Sequence, residues 1–352
     1  MSEIMKPFSS LQFVPMTGKA GSAICLVTGA TGAVGPRVVE DLFERGYQIR
    51  TLSLDGASSG LLPEEVDARI GDVNDASSVE SAMRGVEVVI HLAALLHIVD
   101  PPQCLREQYE RINVDGTATV VAAAIDAGIQ RLVLFSTISV YGDTRGRIAN
   151  EESPLRPDSF YAETKVAAER IILDAKRQDG RPLGTVLRLG AVYGSRIRGN
   201  YRRLLKSLAR GQRFSIGKGQ NRRTLIYDRD VARAALLAAE HPAAAGRVFN
   251  VSDGQFHTLT QIVDTMCSAL GRRPPRLALP VCPVRMAAGM LEDIGRLIGR
   301  QSPVVRATVD KYLEDVAVDS RRIREELGFT SKYDLATGWR ETVEGMRRAG
   351  DL

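Results

Sequence analysis

The stretch AICLVTGATGAVG, residues 23–35, joins a short apolar run to three glycines spaced three apart. Ile24, Leu26 and Val27 read as a buried strand, and the following RVVEDLFERG carries helical spacing. Glycines at such a junction let the turn be tight and let backbone approach a diphosphate, whose charge the helix N-terminus favours. With a strand before it and a helix after it, the loop predicts dinucleotide binding. Gly29, Thr31, Gly32, Ala33, Val34 and Gly35 are the candidate contacts.

At 352 residues the chain is long enough for one compound domain or two closely joined ones. Its 44% hydrophobic and 25% charged residues are ordinary for a globular protein. Cys25, Cys104, Cys267 and Cys282 show no metal or redox spacing and no disulfide framework, which suits a reducing cytoplasm. No metal is expected. Residues 1–22 lack the apolar core and cleavage site of a signal peptide and are expected to be a flexible extension. No apolar run reaches the ~18 residues of a membrane span.

The net charge of +5 is unevenly spread. From Arg196 to Arg223 there are ten basic residues, Arg213 among them, and no acid, leaving 37 basic against 42 acidic residues elsewhere. A solvated face and nucleic acid are two readings of such a run. No aromatic interleaving or nucleic-acid motif supports the second. A pocket for an anionic small molecule such as a sugar diphosphate fits better beside a cofactor site.

Tyr47 to Ser53 predicts a second strand, whose end meets the adenosine ribose in dinucleotide folds. Here that end offers Ser53, Leu54 and Asp55 and no nearby Arg or Lys for a 2′-phosphate, which favours NAD over NADP. Arg69 to Val73 predicts a third strand, and Asp72 is either an adenine contact or part of a helix cap before Asn74 and Asp75. Val86 to His91 predicts a fourth, running into Leu92, Ala93 and Ala94, small enough to let a flat cofactor lie close. A long helix is expected over Leu105–Ala127 and a fifth strand over Arg131–Ser136. Alternating strands and helices argue an α/β fold with a doubly wound parallel sheet.

Ser136, Thr137 and Ser139 follow that fifth strand, where open α/β sheets bind ligands. Tyr161 and Lys165 then stand four apart, on one face of a helix. A phenol is a poor base at neutral pH, but an ammonium and a positive nicotinamide ring both favour the phenolate. Such a Tyr can exchange a proton with a hydroxyl while hydride moves, and Thr137 can hydrogen-bond the same oxygen.

Together these motifs resemble the extended short-chain dehydrogenase/reductases, the family of nucleotide-sugar epimerases, dehydratases and reductases. The resemblance covers roughly residues 23 to 350. It rests on TGATGAVG (28–35), Asp72-Val73, HLAA (91–94), NVDGT (113–117), FSTISVYG (135–142), YAETK (161–165), LRLGAVYG (187–194), RTLIYDRDVA (223–232) and FNVSDG (249–254). It implies a Thr137/Tyr161/Lys165 catalytic set and a bound nicotinamide nucleotide contacted by Ser53, Asp72, Val73, Leu92–Ala94, Tyr161 and Lys165. Arg223 matches an arginine that meets substrate diphosphate in the family, and Asn200 is taken with it as a candidate substrate contact. It also implies a homodimer pairing through residues 105–127 and 160–178.

Two departures narrow the choice. The Asp-Glu pair of the family's 4,6-dehydratases is replaced by Ile138-Ser139, which argues against dehydration. Gly190 stands where many sugar-nucleotide members have Asn. The expected layout is a cofactor domain of residues 23–192 and 222–252. Residues 193–221 and 253–352 then make a smaller, mainly helical substrate domain. Within it, Thr258–Leu270 predicts a helix, Arg272–Pro283 a connector, and Val284–Ile298 a Met-rich helix. That helix is expected to pack as core against Val304–Leu313, or else to wall an apolar pocket. The expected activity is NAD-dependent 4-epimerisation of a UDP-hexose. The alternative is net dehydrogenation or ketoreduction of a sugar nucleotide or a sterol-like alcohol.

Overall fold

A computed structural model of the chain describes residues 23–55, 60–96, 98, 101–211, 214–297 and 306–352. The expected extension 1–22, and with it Arg213, Ile298 and Val304, lie outside the described residues.

Six strands, β1 (Ile24–Thr28), β2 (Gln48–Ser53), β3 (Asp67–Ile70), β4 (Val86–His91), β5 (Arg131–Thr137) and β6 (Gly184–Leu189), are joined by a seventh, Val248–Val251. They form one sheet in the order β3-β2-β1-β4-β5-β6 with Val248–Val251 at the edge. Every pairing in it is parallel. The strand order turns outward in both directions from β1 and β4, so a crevice opens over their carboxyl ends.

The helices are α1 (Gly35–Glu44), α2 (Ala76–Met83), α3 (Arg106–Glu110), α4 (Gly116–Asp126), α5 (Phe160–Asp174) and α6 (Asn200–Ala209). They continue with α7 (Asp228–Glu240), α8 (Leu259–Leu270), α9 (Val281–Leu297), α10 (Arg306–Leu313), α11 (Arg321–Leu327) and α12 (Leu335–Arg348). Because strand side chains alternate, each strand feeds two cores. Cys25, Val27, Val133 and Phe135 pack with Val38 and Leu42 of α1 and Val231 and Ala235 of α7, while Ile323 and Leu327 of α11 close the same layer. Leu26, Leu132 and Leu134 pack on the opposite side with Val79 of α2, Val120 of α4 and Ile172 of α5. A third core gathers Leu205 and Leu208 of α6, Ile262 and Met266 of α8, and Trp339 and Val343 of α12.

Several elements differ from the sequence expectation. β3 ends at Ile70, so Gly71 to Val73 lie beyond it. Asp72 instead accepts from the backbone and side-chain nitrogens of Asn74, and the cap of α2 is Asp75, which accepts from the Ser77 and Ser78 amides. The expected helix 105–127 is interrupted by a π-turn at Arg111–Asp115 between α3 and α4. The Arg272–Pro283 connector contains a short strand, Leu277–Leu279, paired with Phe214–Ile216, and α9 begins at Val281, ahead of Pro283.

The Met-rich face of α9 is not core. Met286 and Met290 are 62% and 60% exposed, and Leu291 and Ile294 are exposed as well. The helix buries Ala288 and Gly289 instead, and a Cβ on Gly289 would collide with the Arg306 guanidinium at the start of α10. The small residues leave room for the Arg306 side chain against α9, and the long apolar side chains face outward. Met286 and Met290 line an open cleft of about 270 Å³ with Cys282, Arg285 and Arg306. As expected, Thr258 caps α8, forming a reciprocal capping box with Gln261.

Candidate active site

The glycine turn follows β1 directly. Gly29 has φ +70°, and a Cβ there would lie 2.8 Å from the Ala93 backbone. Only glycine lets the segment after β4 pass so close. The turn is closed by Gly32 N–H donating to the Gly29 carbonyl at 3.0 Å, and Gly29 N–H donates to Leu52 of β2. Gly35 starts α1 packed onto Ala30, where a Cβ would overlap the carbonyl. Thr31, Gly32, Ala33 and Val34 remain partly open. α1 has no side-chain cap and no acid in its first turn, so nothing in that turn offsets the positive end of its dipole, which favours an anion.

At the end of β2, the Ser53 hydroxyl oxygen is buried without a hydrogen-bond partner. A ribose hydroxyl would supply one. Arg50 is held by Asp67 at 2.6 Å and by the carbonyls of Ala82 and Arg84, and Arg69 by Asp67 and Ser81. The basic residues on β2 and β3 are therefore already engaged. The Val73 side chain is buried against Gly116 at the start of α4. A glycine cradle, an uncapped helix start and an orphaned hydroxyl along one strand edge together fit a dinucleotide.

Leu92, Ala93 and Ala94 continue from β4 across the crevice and are pinned at three points. Ala93 N–H donates to the Thr28 hydroxyl at 3.3 Å. Leu95 N–H donates to Asn113 Oδ1 at 2.7 Å, and Asn113 Nδ2 returns to the Leu95 carbonyl. Tyr109 donates to the Leu96 carbonyl and accepts from Ile98 N–H. Asn113 sits in the π-turn and also donates to Thr164 of α5 at 3.0 Å, so one amide ties the loop to the helix bearing Tyr161 and Lys165. Asn113 lies in the break of helix 105–127, which periodicity does not reveal.

Ser159 caps α5, so Tyr161 falls in its first turn and Lys165 one turn on. The Tyr161 side chain is half-buried. Burial, with the neighbouring Tyr109 phenol adding to it, pushes the Tyr161 hydroxyl well above the ordinary phenol range. Lys165 is 2% exposed. Burial pulls its ammonium down to about 8, against the opposing pull of Glu169 one further turn along. Thr137 ends β5, where its hydroxyl accepts from Ser139 N–H and donates to Ser139 Oγ at 3.2 Å.

Beneath these groups lies a buried polar network. Glu169 accepts from the Ser136 hydroxyl and from Arg188 of β6, whose Nη2 approaches Glu169 Oε2 to 2.7 Å. Arg188 also donates to the Tyr141 hydroxyl at 2.8 Å, and Tyr141 donates to Asn250 on the edge strand. Glu169 and Arg188 are both nearly inaccessible to solvent. Such a pair persists in a core only when its remaining hydrogen bonds are satisfied, as they are here. Sequence reading passed over Glu169, Arg188 and Asn113. Two signals were present: a charge inside the apolar strand LRLGA, and a carboxylate four residues after Lys165.

Arg223 lies within the short strand Arg222–Arg223, and its Nη2 donates to the carbonyls of Lys311 and Tyr312 at the end of α10. Glu314 stands 3.9 Å from its Nη1. Asn200 is exposed at the first position of α6. Among the described residues no group of three or more His, Cys, Asp or Glu could hold a metal. No helix among them is long and apolar enough to cross a membrane.

A doubly wound parallel sheet with a glycine turn at β1 and a Tyr-x-x-x-Lys helix packed on β5 and β6 defines a nucleotide-dependent oxidoreductase of the short-chain type. The chain belongs to the NAD dependent epimerase/dehydratase family, whose model matches residues 25–252. It is similar to an N-acetyl-α-D-glucosaminyl-diphospho-ditrans,octacis-undecaprenol 4-epimerase of Escherichia coli O157:H7, with 29% identity over 91% of this chain and 94% of that one. It is also similar to a 3β-hydroxysteroid dehydrogenase/Δ5→4-isomerase of Mycobacterium tuberculosis (strain CDC 1551 / Oshkosh), 27% identical over 86% of this chain and 85% of the other. Among solved structures it resembles MoeE5 in complex with UDP-glucose and NAD. That likeness has 28% identity and a TM-score of 0.73, over 93% of this chain and 99% of that one.

Proposed function

We propose that the protein is an NAD-dependent 4-epimerase of a nucleoside-diphosphate hexose, with UDP-hexoses as substrate class. The observation that carries this reading is the Tyr161–Lys165 pair on α5, whose lysine acts on His91 at the end of β4, itself bonded to Thr28 just ahead of the glycine turn. It gains weight from likeness to a sugar-diphosphate 4-epimerase along 91% of the chain. When bound, the nicotinamide supplies a reversible hydride acceptor. Tyr161 takes the C4 hydroxyl proton as the C4–H bond is broken, and returns it once the 4-keto sugar has turned its other face. Thr137 hydrogen-bonds the same oxygen, and Lys165 stabilises the tyrosinate and the nicotinamide ribose. Glu169 holds Lys165 charged against its burial. Arg223 and Asn200 serve the substrate diphosphate, and the unpartnered Ser53 hydroxyl serves the adenosine ribose of NAD in preference to a 2′-phosphate.

The test is incubation with UDP-glucose and UDP-N-acetylglucosamine without added NAD. The C4 epimer is expected, with no net NADH. Tyr161→Phe should lower turnover by at least about 100-fold while NAD affinity stays within about threefold. Unchanged turnover in that variant removes the catalytic assignment. A second reading, dehydrogenation of a hydrophobic alcohol, is favoured by the exposed apolar face of α9 and by likeness to a hydroxysteroid dehydrogenase. Stoichiometric NADH release from such an alcohol, with no epimer from UDP-sugars, decides for it.

A further inference from the structure

Arg196 occupies unusual surroundings for a guanidinium. It comes from the turn between the short strand Ala191–Tyr193 and α6. Its Nη2 donates to the Thr31 carbonyl at 3.3 Å, so the side chain rests on the glycine turn. Its Nε is buried and has no hydrogen-bond partner. The acids of this corner, Glu40 and Asp228, act on Arg37, and Glu40 pairs with it at 2.6 Å. No carboxylate among the described residues forms an ion pair with Arg196.

A partly buried cation with an unmet donor is unfavourable by itself and more so beside other cations. Arg198 and Arg37 both act on Arg196 and, together with its burial, make its charge harder to keep. The start of α1 adds positive potential from the same side, since it carries neither a side-chain cap nor an acid in its first turn. Arg196 and the start of α1 therefore both bring positive potential to the glycine turn, and no carboxylate among the described residues pairs with Arg196. A diphosphate seated on that turn would balance it and take up the free Nε.

We propose that Arg196 is a binding residue for the diphosphate of the nicotinamide dinucleotide, closing over the glycine turn from the segment that leads into α6. The proposal rests on the cofactor reading of the glycine turn and not on the choice between epimerase and dehydrogenase. It makes the dinucleotide a link between the sheet and residues 194–200. Because Arg196 contributes a charge-assisted hydrogen bond, the loss should fall on ligands that seat their diphosphate on the glycine turn, NAD and ADP, and spare adenosine and a nucleotide bound at the substrate position such as UDP.

Calorimetric titration of the wild-type protein, Arg196→Ala and Arg196→Lys with NAD, ADP, adenosine and UDP tests this. In Arg196→Ala, affinity for NAD and ADP should fall about 10- to 100-fold. Adenosine and UDP should bind within about twofold of wild type, and Arg196→Lys should recover part of the loss. The melting temperature of Arg196→Ala without ligand should match or exceed wild type, because an unmet cation has been removed. Equal ADP affinity in wild type and a folded Arg196→Ala overturns the proposal. Loss of UDP affinity with ADP unchanged also overturns it, and assigns the residue to the substrate's diphosphate. Should Arg196→Ala not fold, Arg196→Lys and Arg196→Gln carry the same comparison. A wild-type protein that binds neither NAD nor ADP defeats the cofactor reading itself, whereas absent epimerase activity with intact ADP discrimination leaves this proposal standing.

Discussion

At the scale of single residues, His91 carries the most information. It is completely buried at the end of β4, with Nδ1 2.7 Å from the Thr28 hydroxyl and Nε2 3.1 Å from that of Thr117. Thr117 spends its proton on the Asn113 carbonyl, so it must accept from His91 Nε2–H. Nδ1 is then the acceptor of the Thr28 proton, and the ring is held neutral in one tautomer. Burial first, and Lys165 second, pull its pKa down to about 3. An unfolded histidine titrates near 6.5, so between about pH 6.5 and 3 the unfolded chain binds the extra proton. Stability from this site is full above the unfolded value and is lost as pH falls through that window. In denaturant titrations, the advantage of wild type over His91→Gln should shrink by on the order of 2 kcal/mol between pH 6.5 and 4.5. Parallel curves for the two proteins would show that the ring is not held neutral.

The lysine works in the same direction at higher pH. Lys165 is pulled to about 8, below the ~10.4 of an unfolded lysine. Its buried ammonium is thus a cost to folding that is fully present below about pH 8 and fades as pH rises toward the unfolded value. Lys165→Met should therefore be inactive yet more stable than wild type at pH 7, with the two melting curves converging near pH 10.5. A variant less stable at pH 7 and unresponsive to pH would sink this account of the site.

At the scale of elements, α9 and α8 make an instructive pair. Both show helical apolar spacing in sequence, and both were expected to pack. α8 buries Ile262 and Met266 in the third core, whereas α9 leaves Met286, Met290 and Ile294 to solvent. Periodicity locates a helix's apolar face but not what covers it. Met290→Gln and Ile294→Gln should change stability by no more than about 0.5 kcal/mol, while Ile262→Ala should cost about 2–5 kcal/mol. Urea titrations compare them directly, and a large loss in the α9 variants would return that face to the core.

At the scale of the whole molecule, two devices join the C-terminal segment to α7 and to the short strand Ala191–Tyr193, which lies outside the seven-stranded sheet. Trp339 of α12 is fully buried and stacks on Tyr193 with ring centroids 4.6 Å apart, and Tyr193 in turn meets Tyr227 at the start of α7. Asp230 of α7, also fully buried, accepts from the amides of Lys332 and Tyr333 and from the Ser331 hydroxyl. Trp339→Ala should lower unfolding free energy by about 3–5 kcal/mol, read by denaturant titration. A loss below about 1 kcal/mol would mean that α12 is not fastened through this stack.

The glycine turn, the strand and helix alternation, the Thr258 cap and the Tyr161–Lys165 spacing were all legible in the sequence. Each depends on residues within a turn or two of one another, where backbone geometry and side-chain period leave a local trace. The arrangement around them was not. Asn113 reaches α5 from a π-turn that interrupts its helix, and Glu169 meets Arg188 and Ser136 only once β5, β6 and α5 pack. Arg196 rests on Thr31 across 165 residues of chain. By itself the sequence determined a parallel α/β fold and the residues suited to hydride-transfer chemistry. The tertiary structure alone decided which charges are paired, which are buried and which are left to meet an anion. Those properties belong to contacts between distant segments, and no local pattern records them.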